Sequence, residues 1–365
     1  MPLTRSHIRA TAEAYLARHP HERKALAGLR SVLDGTGDPA DRAALPAHIT
    51  CGAVVIDRDR RVLHIHHRAS GQLLTPGGHI EADDRSLLSA ALRELHEEAG
   101  VRPGDLCLTS WFLGAPIDID VHDIDADPAK GEPAHQHYDF RFAFCLATGQ
   151  PPPLALQDEE VSGARWLPFA DVRSPTLRAK LLDAGLDGRD GLDGRPEPVN
   201  ASALIHDGAG RYLLHLRDNF PDIWEPGTFA FLGGGREIGD ACLEATLRRE
   251  LAEEVPGLEP MDLSPYAVEE ATSVEGLAVP VQVYSGLWTG DPATVDLQEG
   301  VLLGWFTPDM LDRLRLSPGA GELIRRHAAE HPAAGGASGS VRQMRGTPCI
   351  SWPGTASGSP RSPAS

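Results

Sequence analysis

The sequence of 365 residues is short of positive charge: 34 lysines and arginines stand against 52 aspartates and glutamates, a formal net charge of -18. A protein that holds nucleic acid by neutralising phosphates needs the opposite balance, so nucleic acid is not an expected partner. Neither a helix-turn-helix pattern nor a basic recognition helix is visible in the sequence. No apolar run approaches the roughly 18 residues that a membrane helix needs, so no membrane partner is expected. Cysteine is scarce too. Cys51, Cys107, Cys145, Cys242 and Cys349 lie far apart, with no CxxC pair and no histidine at zinc-like spacing, and they read as buried or idle thiols. The first residues, MPLTRSHIRATAEAYLARHPHERK, carry charges and histidines where an export signal would carry an apolar stretch, so a cytoplasmic location is expected.

What is present suits a globular chain of two domains: 41% of residues are hydrophobic and 24% charged, at a length beyond the usual single domain. Ile8, Ala12, Tyr15 and Leu16, then Leu26, Leu29 and Leu33, fall at helical spacing on either side of His19-Pro20. Two short helices are predicted there. Strand patterns follow, ITCGAVVI and RVLHIHH around the turn DRDR, and the design returns as SALIHD and RYLLHL around GAG. The chain repeats itself. Arg61-Val62-Leu63 matches Arg211-Tyr212-Leu213 at an offset of 150, and Gly78, Asp84, Arg93, Glu94, Glu97 and Glu98 match Gly234, Asp240, Arg249, Glu250, Glu253 and Glu254 at 156. GLDGRDGLDGRPEP, residues 185–198, reads as a linker, and the small-residue and proline-rich tail is too poor in apolar residues to build a core. The expected order is a helical N-terminal extension (1–47), a first domain (48–172), a helix and linker (173–197), a second domain (198–330) and a disordered tail (331–365).

Both repeats carry an acidic helix. In RSLLSAALRELHEEAGV the apolar stripe is Leu88, Ala91, Leu92, Leu95 and Ala99, Gly100 stands at the C-cap position, and Glu94, Glu97 and Glu98 are spaced i, i+3 and i+4 beside the stripe. Like charges at that spacing lose a few tenths of a kcal/mol on an exposed helix, and roughly 4 kcal/mol per pair at 4 Å when partly shielded from water. A divalent cation removes that cost. Mg²⁺ prefers hard oxygen ligands and joins one or two carboxylates to substrate phosphates, which also supplies the neutralising charge that the chain lacks. Acidic pairs are common on solvated helix faces, but with each charged residue type at roughly 6%, R-E-x-x-E-E arises by chance on the order of once in 10⁵ positions. Here it occurs twice, each time downstream of a Gly-Gly turn.

These segments, GGHIEADDRSLLSAALRELHEEAGV and GGGREIGDACLEATLRRELAEEVPGL, resemble Nudix boxes, with the R-E-U-x-E-E core (U apolar) intact in both. Both copies depart from the family pattern alike: Asp84 and Asp240 stand at the first glutamate position, followed by eight residues rather than seven. Pro256-Gly257 alters the helix end of the second copy only. The resemblance implies an α/β fold of two Nudix-type α/β/α sandwiches with mixed sheets. It implies Mg²⁺ or Mn²⁺ on Glu94, Glu97 and Glu98 and on Glu250, Glu253 and Glu254, with Arg93 and Arg249 orienting a box glutamate. Glu98 and Glu254 are the first choices for general base, and Glu159, Glu160 and Glu299 are later-loop alternatives. The candidate substrate contacts are Gly78, Gly234, Lys130, His137 and Trp224.

The implied activity is a divalent-metal-dependent pyrophosphohydrolase acting on a small phosphorylated molecule, either a nucleoside diphosphate linked to another group or a nucleoside triphosphate. A nucleotide-binding sensor or scaffold and a hydrolase of a non-nucleotide diphosphate are the alternatives. The first repeat is rich in histidine (His64, His66, His67, His79, His122, His135, His137), and alternation puts His64 with His66, and His135 with His137, on one strand face each. Trp166 and Trp305 read as core residues of matched closing strands. Whether the chain forms a homo-oligomer is not legible in the sequence.

Overall fold

The structure, a computed structural model, describes residues 3–110, 112–128, 131–148, 150–183, 196–221, 223–237 and 239–332. Lys130, most of the linker and nearly all of the tail lie outside the described residues. Two compact units divide the chain: the first holds the described residues up to 199 together with 270–280, and the second holds 200–269 and the described residues from 281 onward. No described helix is long and apolar enough to cross a membrane.

The first unit runs α1 (Arg5–Arg18), α2 (Ala27–Asp34), β1 (Ala47–Ile56), β2 (Arg61–His67), β3 (Gln72–Leu74), β4 (Gly77–His79), α3 (Leu87–Ala99), β5 (Leu106–Leu108), β6 (Pro116–Ile124), β7 (His135–Leu146), β8 (Val161–Pro168) and α4 (Pro175–Asp183). Its sheet has the order β3-β2-β1-β7-β5, with β4 on β1, β6 on β7 and β8 on β2. β1 pairs parallel with β7 and antiparallel with β2, so the sheet is mixed. Every residue of β1 is buried, as expected of a strand covered on both faces. Its alternation sorts the two cores. Ile49, Cys51, Ala53 and Val55 join the cluster built with α3, while Val54 and Ile56 join the one built with Leu177 and Leu181 of α4. Ile8, Ala12 and Tyr15 of α1 and Leu29 and Leu33 of α2 enter the α3-side cluster, so the N-terminal helices are part of this unit's core.

The second unit runs β9 (Asn200–His206), β10 (Tyr212–Leu216), β11 (Phe229–Ala230), β12 (Leu232–Gly235), α5 (Leu243–Glu254), β13 (Met261–Thr272), β14 (Ala278–Leu287), β15 (Leu302–Phe306) and α6 (Ala320–Glu330), apart from the end of β13 and the start of β14 within residues 270–280, which belong to the first unit. Its seven-stranded sheet, in the order β11-β10-β9-β14-β13 with β12 on β9 and β15 on β10, follows the first except that β14 carries one further strand where β7 carries two, and its parallel pair is β9 with β14. Ala201, Ala203 and Ile205 of β9 pack with Leu247 and Leu251 of α5.

Two local expectations need correction. The Gly-Gly pairs are not turns: Gly77–His79 and Leu232–Gly235 are strands laid against β1 and β9. On α3 the buried stripe is shifted, with Leu87 and Ala90 fully buried and Leu88 only partly so. The helix begins at Leu87, one residue before the predicted stripe, where Ser86 and Ser89 form a reciprocal capping box.

In the second unit, His327 is 2% exposed, its ring nitrogens bonded to the Tyr212 hydroxyl at 3.0 Å and Ser285 Oγ at 2.9 Å. Burial, reinforced by His331 and His206, lowers its pKa to about 4. The unfolded chain therefore takes up this proton first, and its contribution to stability is complete above about pH 6.5 and lost as pH falls toward 4. Urea unfolding of the second unit should weaken between pH 6.5 and 4.5, by up to about 2 kcal/mol for this group. In His327→Gln that acid slope should be shallower than in wild type, and an unchanged slope would dismiss the assignment.

Candidate functional site

The approach of α3 to β4 is possible only at glycine. A Cβ on Gly77 would stand 2.6 Å from the Cys51 carbonyl oxygen, and one on Gly78 would stand 2.6 Å from the Glu94 carboxylate. The packing brings the Gly77 N–H to Glu98 Oε2 at 2.8 Å. The second unit repeats both features: a Cβ on Gly234 would meet Glu250 at 2.5 Å, and the Gly233 N–H donates to Glu254 Oε2 at 2.9 Å. α3 ends on Gly100 in the left-handed region, φ 70°, whereas α5 stops at Glu254, before Pro256, so the altered helix end lies beyond the carboxylates.

Arg93 spreads its donors over five acceptors. It gives Nε and Nη2 to Asp84 at 3.2 and 3.0 Å, Nη2 also to the His79 carbonyl at 2.7 Å, and Nη1 to Glu94 at 2.9 Å and Glu97 at 3.0 Å. Arg249 does the same with Asp240 (3.3 and 3.1 Å), the Gly235 carbonyl (2.7 Å), Glu250 (2.9 Å) and Glu253 (3.1 Å). Asp84 and Asp240 also accept the Glu81 and Glu237 backbone N–H, each at 2.8 Å. Their carboxylates are therefore taken up by the arginine and the loop. The extra residue that both copies carry lies in this loop, before the arginine.

The three helix carboxylates differ in surroundings. Glu97 is exposed, Glu94 half-buried, and Glu98 only 2% exposed. Burial is the largest influence on Glu98 and pushes its pKa up to about 8, against the Gly77 N–H and with Glu94, Glu160 and Glu97 adding to the rise. Burial likewise pushes Glu94 up to about 7, with Arg93 opposing. In the second unit burial raises Glu254 to about 8, reinforced by Glu250 and Glu299, and Glu250 is raised for the same reason with Arg249 opposing. Each unit thus keeps a pair of carboxylates out of water and close together, where their charge is costly.

Around Glu98 the fold adds groups from distant segments. One donor atom each of His67, Glu98 and Glu160 lies within 4.8 Å of the others. Of the later-loop acids, Glu160 joins this group, Glu159 does not, and Glu299 acts on Glu250 and Glu254 by charge. His64 is buried, with Nδ1 on the Val62 carbonyl at 3.1 Å. His137 lies among the rings of His48, His79, His122 and His135. Trp224 is half-buried under the Arg217 guanidinium, 5.6 Å from its ring centre, and Arg217 also helps to hold the Glu254 charge. Trp166 packs against the core, and Trp305 stacks on Trp288 at 5.7 Å.

Sequence reasoning missed Gly77 and Gly233, whose N–H groups hold the most buried carboxylates, and the arginine–aspartate pairs. Both stand at matched places in the two copies, which is the signal that would have found them.

The NUDIX domain family model matches residues 46–184 and 196–327, and the chain belongs to that family, with two copies of the domain. Family members generally use divalent metals. A "Probable DHNTP pyrophosphohydrolase" of Lactococcus lactis is 32% identical over 121 residues, 33% of this chain and 61% of that protein. Among solved structures, the MutT NUDIX hydrolase of Burkholderia pseudomallei aligns at 23% identity, covering 35% of this chain and 97% of that one, with a TM-score of 0.30. The dihydroneopterin triphosphate pyrophosphohydrolase of E. coli aligns at 18% identity over 37% and 92%, with a TM-score of 0.27.

Proposed function

We propose that the chain is a divalent-metal-dependent pyrophosphohydrolase with one catalytic centre in each repeat, acting on a nucleoside triphosphate or on a nucleoside diphosphate linked to a second group. The observation that carries this reading is a matched pair of mutually repelling carboxylates in each repeat, one half-buried and one buried: Glu94 with Glu98, and Glu250 with Glu254. Their donor set is hard oxygen, and Arg93 on Glu94 and Arg249 on Glu250 offset part of the charge, so the residues fit Mg²⁺ or Mn²⁺. Glu94 and Glu98, with Glu97 at the exposed edge, would hold the ion in the first repeat, and Glu250, Glu254 and Glu253 in the second. Such an ion supplies charge neutralisation for the diphosphate and lowers the pKa of water.

The chain's own groups do the rest. Arg93 and Arg249 are positioning residues, holding the first and second box glutamates in one orientation. Glu98 Oε2 is tied to the Gly77 N–H, which leaves Oε1 to take a proton from the attacking water. The water oxygen then bonds to phosphorus, and the bridging P–O bond breaks to release a phosphate product. In the second repeat, Glu254 and the Gly233 N–H take these parts. Trp224 with Arg217 offers a flat face and a cation to the base and phosphates of a nucleotide, and Gly78 and Gly234 give the closeness that lets Glu94 and Glu250 face the diphosphate. Lys130 is a candidate phosphate contact of the first repeat.

The test is a screen of nucleoside triphosphates, sugar nucleotides, dinucleotides and a pterin triphosphate with Mg²⁺, reading phosphate, pyrophosphate and nucleotide products. Metal-dependent release from at least one class is expected, and EDTA should abolish it. Turnover that persists in EDTA, or none across the panel with Mg²⁺ or Mn²⁺, would overturn the reading.

A further inference from the structure

The first repeat holds a second convergence of metal-ligating groups, built from nitrogen instead of oxygen. His48 lies on β1, and His135 and His137 on β7, with His48 and His137 direct register partners across the parallel pair. Side chains two apart on a strand share a face, so the three rings meet: centroids are 4.5 Å apart for His48–His137, 4.9 Å for His48–His135 and 5.0 Å for His135–His137. One ring nitrogen of each lies within 4.8 Å of the other two.

The hydrogen bonds say which nitrogens these are. His48 Nδ1 faces the Ala44 carbonyl at 3.3 Å, and His135 Nδ1 faces the Pro133 carbonyl at 2.8 Å. A carbonyl only accepts, so each Nδ1 carries the hydrogen and each Nε2 presents a lone pair. His48 is 1% exposed, and its buried Nε2 has no hydrogen-bond partner, a state that is costly unless something fills it. His135 Nε2 and His137 Nε2 are 3.1 Å apart, close to the roughly 3.3 Å between two nitrogens on one tetrahedral zinc. Histidines whose far nitrogen is anchored on a backbone carbonyl are the usual ligands of such ions.

We propose that His48, His135 and His137 form a binding site for a nitrogen-preferring transition-metal ion of the zinc class, separate from the carboxylate sites. Neutral imidazole is the ligating form. Neutral imidazoles select zinc, copper or nickel over magnesium. The ion would tie the β6–β7 hairpin to the start of β1. His79, whose ring is 5.1 Å from that of His48, accepts Arg93 on its carbonyl, so the site borders the arginine that holds Glu94. Among the described residues the second repeat has no matching histidine group. There Asn200 pairs with Gly235 as Thr50 pairs with His79, which puts Pro198 and Gly235 where His48 and His79 stand.

The test is calorimetric titration of Zn²⁺ into the untagged, EDTA-treated full chain in excess Mg²⁺, which occupies the carboxylate sites. Wild type should take up one tight equivalent. His135→Ala/His137→Ala should lose it, with affinity down by about 100-fold or more, while Glu98→Gln/Glu254→Gln should keep it. Should the double histidine variant not fold, His135→Gln alone, with His48 left in the core, should lose the visible absorption of bound Co²⁺ that wild type shows. No tight equivalent in wild type, or one that survives the histidine changes or disappears with the glutamate changes, would overturn the proposal.

Discussion

Glu98→Gln/Glu254→Gln should release product from its best substrate about 10³-fold more slowly than wild type, because it removes the proton acceptor and one ion-holding oxygen from both repeats at once. Each single variant should lose only its own repeat's share, so two singles with unequal residual rates would rank the repeats. Glu97→Gln should cost less, since Glu97 is exposed and its fixed contact is with Arg93. Stability should move the other way. A carboxylate whose folded pKa is raised to about 8 weakens the folded state as pH rises from the unfolded value through 8. In EDTA at pH 8 the metal-free double variant should therefore melt above wild type, and this separates lost chemistry from lost folding. A double variant that binds Mg²⁺ as wild type does and turns over at the wild-type rate would remove these glutamates from the mechanism.

Lys180→Met should destabilise the first unit by about 3 kcal/mol, the low end for breaking a buried ion pair, and lower its melting temperature by roughly 10 °C. Asp118 on β6 is fully buried, and its Oδ1 lies 2.5 Å from Lys180 Nζ. Lys180 also meets Glu22 at 2.8 Å and the Tyr15 hydroxyl, while that hydroxyl bonds Glu22. α4, α1 and the turn after α1 are thereby joined to β6 through one cation. Without it Asp118 keeps Arg141 at 3.3 Å and Thr176 at 3.2 Å, which is why the low end applies. Adding Asp118→Asn to Lys180→Met should recover part of the loss by removing the stranded charge. Urea unfolding decides the matter: a loss under about 0.5 kcal/mol in Lys180→Met would mean that the network does not hold these elements together.

The local order of this protein was determined by the sequence alone. Period-2 and period-3.6 patterns, the near-identical R-E-x-x-E-E segments and the two offsets of 150 and 156 set two mixed α/β units with an acidic helix in each, because these signals act between residues close in the chain. Glu94, Glu97 and Glu98 were legible as a group for that reason, but not their inequality. Only the packing of α3 on β4 buries Glu98, leaves Glu97 in water and hands the Gly77 N–H to the more buried one. The Gly-Gly pairs look like turns until β1 lies beside them, for a strand made of glycine is favoured only when a neighbouring backbone and a carboxylate leave no space for a Cβ. His67 with Glu160, Lys180 with Asp118, and His48 with His137 are joined across 62 to 93 residues of chain. The tertiary structure decided those meetings, since strand pairing and helix docking set contacts at such separations and no local periodicity records them.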